Sequence, residues 1–307
     1  MGDLPLPGGA FHGRKGQEMK SVMILSMLLL ALLFQPSWVR ADNPDPEAAD
    51  LPIYLKDRGT GVPTSMFGTY VVSGELLIYP FFEYYYDDNM EYAPAELSYG
   101  LNEDYRGKYR ASEWLIFLGY GMTDMVALEV EVAVIDATLE KSRDDPSDMP
   151  DRIFESGLGD VQMQLDWRWV TESEHRPEVF SYAEVVFPFN KDKVLIGTSD
   201  WEIKLGIGAI RGYRWGTVTG RAAVEYSAEE SKLELGEIAI EYLKRVSPSW
   251  RLYTGVEAAQ DEVELILEAQ WHLSRYAFIK FNTAFGLTSK ATDWAPELGI
   301  MFRIPLR

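Results

Sequence analysis

Few residues in this chain could carry covalent chemistry. There is no cysteine, which excludes a cysteine nucleophile, a thiolate metal site and a disulfide scaffold. The three histidines are His12, His175 and His272. His272 and Ser274, two residues apart, could pair an imidazole base with a hydroxyl nucleophile. Such hydrolysis needs both groups on one exposed face and a third group to orient the base. The nearest amide, Asn282, falls roughly 20 Å along the next expected strand at ~3.3 Å per residue. The pair therefore reads as an interfacial histidine. No catalytic residue is expected, and the chain is read as not an enzyme. Gly206-Ile207-Gly208-Ala209-Ile210-Arg211-Gly212 half matches a dinucleotide fingerprint. That motif requires a turn leading into a helix, whereas these glycines alternate within an extended run. No cofactor and no metal ligand set is expected.

Carboxylates are the dominant chemical feature. There are 48 Asp and Glu against 29 Lys and Arg, a formal charge of −19, which argues against a nucleic-acid partner. One acidic stretch holds Asp87, Asp88, Glu91, Glu96, Glu103 and Asp104. Another holds Asp144, Asp145, Asp148, Asp151 and Glu155. Divalent cations that bridge lipopolysaccharide could bind there. The spacing is not that of an EF-hand loop, and solvated loops are the plainer reading.

What positions these groups is a period of two. Val126, Leu128, Val130, Val132 and Val134 alternate with Ala127, Glu129, Glu131 and Ala133; Val161 to Trp169 and Glu262 to His272 alternate in the same way. Strands put successive side chains on opposite faces, so each is a strand with one apolar face. The pattern predicts twelve strands over 73–86, 108–120, 125–139, 158–170, 178–189, 201–212, 217–227, 232–245, 250–259, 262–272, 276–288 and 294–305. Lengths of ~10–14 residues suit tilted membrane-crossing strands. Short connections alternate with the longer ones at Asp87 to Gly107 and Glu140 to Gly157. The expected fold is all-β: an antiparallel transmembrane β-barrel of about twelve strands with both termini periplasmic. A soluble sandwich or lipid-binding barrel is the competing architecture.

In that register the lumen receives Glu129, Glu131, Asp166, Glu184, Glu202, Glu225, Glu262, Glu264, Glu268 and Glu297, with Arg168, Lys204, Arg221, Lys280 and Arg303 against them. The acid excess implies a cation-leaning pore, or else a lumen filled by ion pairs and water. Tyr120, Trp169, Tyr213, Trp215, Tyr242, Trp250, Tyr253, Trp271 and Tyr276 gather near the short turns, as an interfacial girdle would. A mean hydropathy of −0.16 fits a wall whose apolar and polar faces average out.

The leading segment is an address. Ser21 to Phe34 is uncharged and apolar, follows Lys20, and precedes small or apolar residues at Val39 and Ala41. This reads as a cleavable secretory signal peptide over 1–41, with 1–18 as an over-long start before Met19. Residues 42–72 are then a periplasmic lead segment and 73–307 the barrel. The chain is expected in the outer membrane, in contact with its lipid.

Glu297-Leu298-Gly299-Ile300-Met301-Phe302-Arg303-Ile304 resembles the C-terminal signal read by the barrel-assembly machinery. Gly119-Tyr120-Gly121-Met122-Thr123-Asp124, Ser156-Gly157-Leu158-Gly159-Asp160-Val161 and Leu195-Ile196-Gly197-Thr198-Ser199-Asp200-Trp201 resemble the MetA-pathway phenol-degradation-like family of outer-membrane transporters. That resemblance implies a barrel that passes or binds small solutes, hydrophobic ones among them. The function expected is an outer-membrane channel or transporter. The alternative is a non-conducting structural or ligand-binding barrel.

Overall fold

The computed structural model describes residues 50–228, 231–260 and 262–306. The proposed signal peptide and the first residues of the lead segment lie outside these. After a 3-10 turn at Ile53–Leu55 come two short strands, β1 (Val62–Pro63) and β2 (Tyr70–Val71). Twelve long strands follow: β3 (Glu75–Tyr92), β4 (Tyr105–Gly121), β5 (Val126–Glu140), β6 (Arg152–Val170), β7 (Glu178–Phe187), β8 (Glu202–Tyr213), β9 (Gly216–Ser227), β10 (Lys232–Ser247), β11 (Trp250–Ala259), β12 (Glu262–Ser274), β13 (Ala277–Gly286) and β14 (Trp294–Pro305).

Each long strand pairs antiparallel with its neighbours in sequence, and β14 pairs with β3 to close the barrel. Closure leaves no strand edge at the seam between first and last strands. Glu75 lies opposite Pro305, so the barrel begins and ends at the same rim, the one carrying the short turns. The twelve predicted strands are all present. Several run a few residues longer than the alternation suggested, and two by about six: β3 continues through Tyr92 and β6 starts at Arg152. Those extensions, Asp87 to Tyr92 and Arg152 to Gly157, mix Asp, Asn, Glu, Arg, Ser and Gly with a few apolar residues, so they lack the unbroken apolar row that betrays the rest.

The outer face is apolar and exposed. Trp114, Ile116, Val134, Leu165, Leu205, Ile207 and Ile240 all point away from the interior. Near the short turns the aromatics stack in pairs, Trp167 on Trp169 and Tyr213 on Trp215 at 4.8 Å, and Trp250 on Trp271 at 5.9 Å. Tyr253 does not join them. It sits three residues past the outward Trp250, so it points inward, and it is buried.

The interior near the short-turn rim is dense. Leu77, Tyr79, Phe117 and Met301 pack there against Val62 and Val71 from the segment before the barrel. Residues 50–72 thus form no free-standing lead: they fold against the inner wall. Gly212 makes one such contact possible, because a Cβ there would overlap the Tyr54 carbonyl.

Candidate functional site in the barrel lumen

The lumen is closed at one end and hollow at the other. The closure is the hairpin of β1 and β2. Its turn is held by Thr64 N–H donating to Thr69 O at 3.2 Å and Thr69 N–H to Met66 O at 3.1 Å. Gly68 sits there at φ +59°, a left-handed conformation that glycine adopts without steric cost. A hairpin of two-residue strands has little stability of its own, so the wall must hold it.

The wall does so through polar groups. Arg58 Nη2 reaches Glu178 at 2.8 Å and Glu172 at 3.0 Å, with all three side chains nearly devoid of solvent contact. Glu178 also pairs with Arg168 Nε at 3.1 Å, and Arg168 donates to the Thr60 and Gly61 carbonyls. Asp57 accepts from Arg245 N–H at 2.9 Å and lies 3.3 Å from Lys244 Nζ. At the hairpin tip, Ser65 N–H donates to Glu129 at 3.0 Å, while Gln270 and Lys280 each donate at 3.2 Å to the carbonyls of Gly68 and Phe67. The Phe67 ring stacks on Tyr253 at 5.3 Å and lies under the Arg221 guanidinium. Burial works against the Arg58 charge, but Glu178, Tyr70 and Glu172 more than offset it, and its pKa stands above the usual guanidinium value. The space left beside the hairpin is about 20 Å³, room for about one water.

The sequence-derived lumen residues stand as follows. Glu129, Asp166, Arg168, Glu268 and Lys280 are buried. Lys280 pairs with Glu268 at 3.0 Å and Lys204 with Glu184 at 3.5 Å. Gln164 donates to Asp166 at 2.7 Å. Glu225 lies opposite Lys204, and Glu202 opposite Ser227, on the β8–β9 ladder. Arg303 forms a bidentate pair with Glu75 at 2.8 and 2.9 Å near the short-turn rim. Glu297 accepts from Tyr79 and from Asn282. Glu131 borders a side chamber described below, while Glu262 is at the opposite rim and Glu264 lies opposite Gly286 near it. These groups are spread from end to end of the lumen and do not converge on one centre.

Arg221, which the alternation placed in the lumen, is a hub whose partners the alternation did not all reveal. It contacts Glu237 at 2.9 Å, Glu241 at 3.1 Å and Glu257 at 2.8 Å. A bulge between Leu235 and Ile238 shifts β10 by one residue, which hides Glu237 from a strict period of two. Glu257 shares parity with Tyr253 and was legible in principle. Arg58, Ser65 and Asp57 lie in no alternating run, so nothing in the sequence marked them.

Beyond the hairpin the lumen widens toward the long-loop rim. One cavity of about 440 Å³ is lined by Tyr85, Asp87, Tyr92, Glu96, Tyr109 and Glu113. A second, of about 320 Å³, shares Glu113 and lies against Leu115, Ile135, Leu195 and Ile196. Several loop acids are already engaged. Asp88 pairs with Lys108 at 2.7 Å, Glu91 with Arg106 and Lys290, and Glu155 accepts from Val194 and Leu195 N–H. Among the described residues no group of three or more His, Asp or Glu is placed to hold a metal ion.

His272 and Ser274 assemble no hydrolytic centre. The imidazole is buried and stacked on Phe278 at 4.8 Å. Ser274 Oγ accepts from Tyr276 N–H, and Asn282 is turned to Glu297.

No family profile matches this chain, and no curated protein matches it. Solved structures do. The COG4313 outer membrane channel from Pseudomonas putida F1 superposes with a TM-score of 0.57 at 14% identity, over 79% of this chain and all of that one. The translocator domain of the autotransporter NalP from Neisseria meningitidis gives 0.48 at 9% identity, over 76% and 90%. The toluene transporter TbuX from Ralstonia pickettii gives 0.40 at 9% identity, over 77% and 90%. At 14% identity the likeness to the Pseudomonas putida channel is one of fold alone.

Proposed function

We propose that this protein is an outer-membrane channel or transporter for small solutes, hydrophobic ones among them. Its short turns and both barrel ends would face the periplasm, and a signal peptide over 1–41 would export it. The observation that carries the reading is the inversion of the wall: apolar residues such as Trp114, Leu205 and Ile240 are exposed outside, while charged groups and two cavities lie inside. An exposed apolar belt of this extent is stable only against lipid. The Pseudomonas putida barrel with a similar fold is an outer membrane channel, which supports the same role here. The Gly-rich stretches resembling the MetA-pathway phenol-degradation-like family favour small hydrophobic solutes. Strand β14 would be the segment read by the barrel-assembly machinery.

In this conformation the periplasmic mouth is shut by residues 57–72, so conduction requires that segment to yield. The test is solute uptake and ion conductance in proteoliposomes, for the full mature chain and for a chain lacking residues 50–72. Permeation that rises when the segment is removed is expected. Impermeability of both forms would overturn the proposal. A second reading, a non-conducting ligand-binding barrel, draws on the density of bonds that hold the hairpin. Saturable ligand binding by an impermeable barrel would favour it.

A further inference from the structure

The inner faces of β3 and β4 carry acids and tyrosines in alternation. Up to Asp87, the odd-numbered residues of both strands face the lumen. From the long-loop rim inward, Asp87 lies opposite Tyr109, Tyr85 opposite Ala111, and Glu83 opposite Glu113. At ~3.3 Å per residue the two acid levels stand about 13 Å apart, with tyrosine between them. Like charges directly opposite one another destabilise a sheet, so Glu83 facing Glu113 is a cost that the strand pairing itself does not repay.

These levels bound the cavity of about 440 Å³ at the long-loop rim, which takes in Tyr85, Asp87, Tyr92, Tyr109 and Glu113. Elsewhere in the lumen acids are matched by bases: Glu184 by Lys204, Glu268 by Lys280, and Glu237, Glu241 and Glu257 by Arg221. In this cavity two acids lack such a match. The basic lining residue, Lys290, lies 3.0 Å from Glu91, and Arg106 closes on the same carboxylate. Asp87 is only 5% exposed, and its Oδ1 takes the Asn89 N–H at 2.7 Å. Its other oxygen has no donor among the described residues. Glu113 has neither an ion pair nor a hydrogen-bond donor among them. A carboxylate taken out of water without a partner is costly.

A cation would supply the missing charge. A bare metal ion does not fit, because no three of the described acids are placed to hold one. An organic cation does fit. Carboxylates attract its charge, aromatic rings attract it through their electron-rich faces, and both surround this cavity. Met90 and Tyr92 give its apolar part a surface. The same mixture continues inward. The 320 Å³ chamber shares Glu113 and sets Glu131 and Glu202 beside Leu115, Ile135 and Ile196. A wholly apolar solute would leave these acids desolvated and uncompensated, and an anion would be repelled.

We propose that the cavity at the long-loop rim binds a small organic cation with an apolar body, an alkylated or aromatic amine, held by Asp87 and Glu113 against Tyr85 and Tyr109. This rests on the channel reading, to which it adds a solute class. The probe is benzyltrimethylammonium, with phenylacetate and benzyl alcohol as anionic and neutral comparators. Binding to the full mature chain in non-ionic detergent micelles is measured by isothermal titration calorimetry. Saturable binding of the cation is expected, several-fold tighter than that of either comparator. Asp87→Asn keeps the acceptor for the Asn89 N–H and removes the charge; it and Tyr109→Leu should each weaken the cation several-fold. Asp148→Asn removes the same charge from an exposed position in the other acidic loop, outside the cavity, and should leave the affinity unchanged. Heat-modifiable migration verifies that each variant is folded. Absence of saturable cation binding, equal affinity for benzyl alcohol, or equal losses in Asp87→Asn and Asp148→Asn overturn the site. Uptake is read separately in proteoliposomes. An impermeable barrel that binds the cation overturns the channel and leaves the site, whereas uptake of a neutral sugar without cation binding leaves the channel and overturns the site.

Discussion

Arg58 and Glu178 meet at 2.8 Å inside the barrel, 120 residues apart in sequence, and neither side chain has more than a trace of solvent contact. The pair ties the segment before the barrel to the wall. Removing Arg58 leaves Glu178 with the Arg168 contact alone, at 3.1 Å, so the loss should be smaller than the ~3–5 kcal/mol that breaking a sole buried pair costs. Arg58→Met should therefore loosen the hairpin, lower the unfolding midpoint in urea and raise single-channel conductance in planar bilayers. A conductance equal to that of the unmodified chain would separate this pair from closure.

Gly212 offers a route to the same end without touching a charge. A methyl group there overlaps the Tyr54 carbonyl, a backbone atom that cannot swing aside as a side-chain tip can. Gly212→Ala should expel the 3-10 turn at Ile53–Leu55 while the barrel stays closed. Limited proteolysis should then cut near residue 55 in the variant and not in the parent, with heat-modifiable migration retained.

The outer belt can be tested by charge. Ile240 and Leu205 are 67% and 54% exposed. In a membrane barrel, Arg or Lys at the midplane of the lipid-facing wall costs about 2–4 kcal/mol. Leu205→Arg should therefore lower stability in lipid vesicles by an amount of that order, measured by tryptophan fluorescence in urea. A soluble barrel would tolerate the change at an exposed position within about 0.5 kcal/mol.

Asp145 gives the long loop between β5 and β6 a pH dependence. It accepts from Tyr92 OH at 2.9 Å and from Ser147 N–H at 2.7 Å. Burial opposes its charge, but the Ser147 and Tyr92 donors outweigh it, and the carboxyl titrates below its usual value. A folded pKa below the unfolded one contributes stability that is complete above the unfolded pKa, near 3.9, and is lost as pH falls through the folded pKa. Amide exchange in residues 141–151 should stay slow at pH 5 and accelerate only once the pH has fallen below the ordinary aspartate value, near 3.9. Asp145→Asn should accelerate it at neutral pH as well. Exchange in the variant indistinguishable from the parent would show that Asp145 does not order the loop.

The period of two was enough to locate all twelve barrel strands, because every crossing strand must show one face to each environment and the alternation is local. It also sorted Glu129, Asp166, Glu268 and Lys280 to one face of their strands, since parity within a strand does not depend on what surrounds it. Two kinds of fact could not be read this way. The first is whatever a bulge displaces: Glu237 reaches Arg221 only because β10 slips by one residue, and the bulge in β6 comes where its ladder with β7 ends. The second is whatever enters the lumen from outside the wall. Arg58, Ser65 and Phe67 carry no periodic signal, and their partners Glu178, Glu129 and Tyr253 lie at least 64 residues away. Local alternation determined where the strands run and which residues share a face. Only the closed tertiary structure, which brings distant segments into one confined volume, decided that the barrel is plugged and where it is hollow.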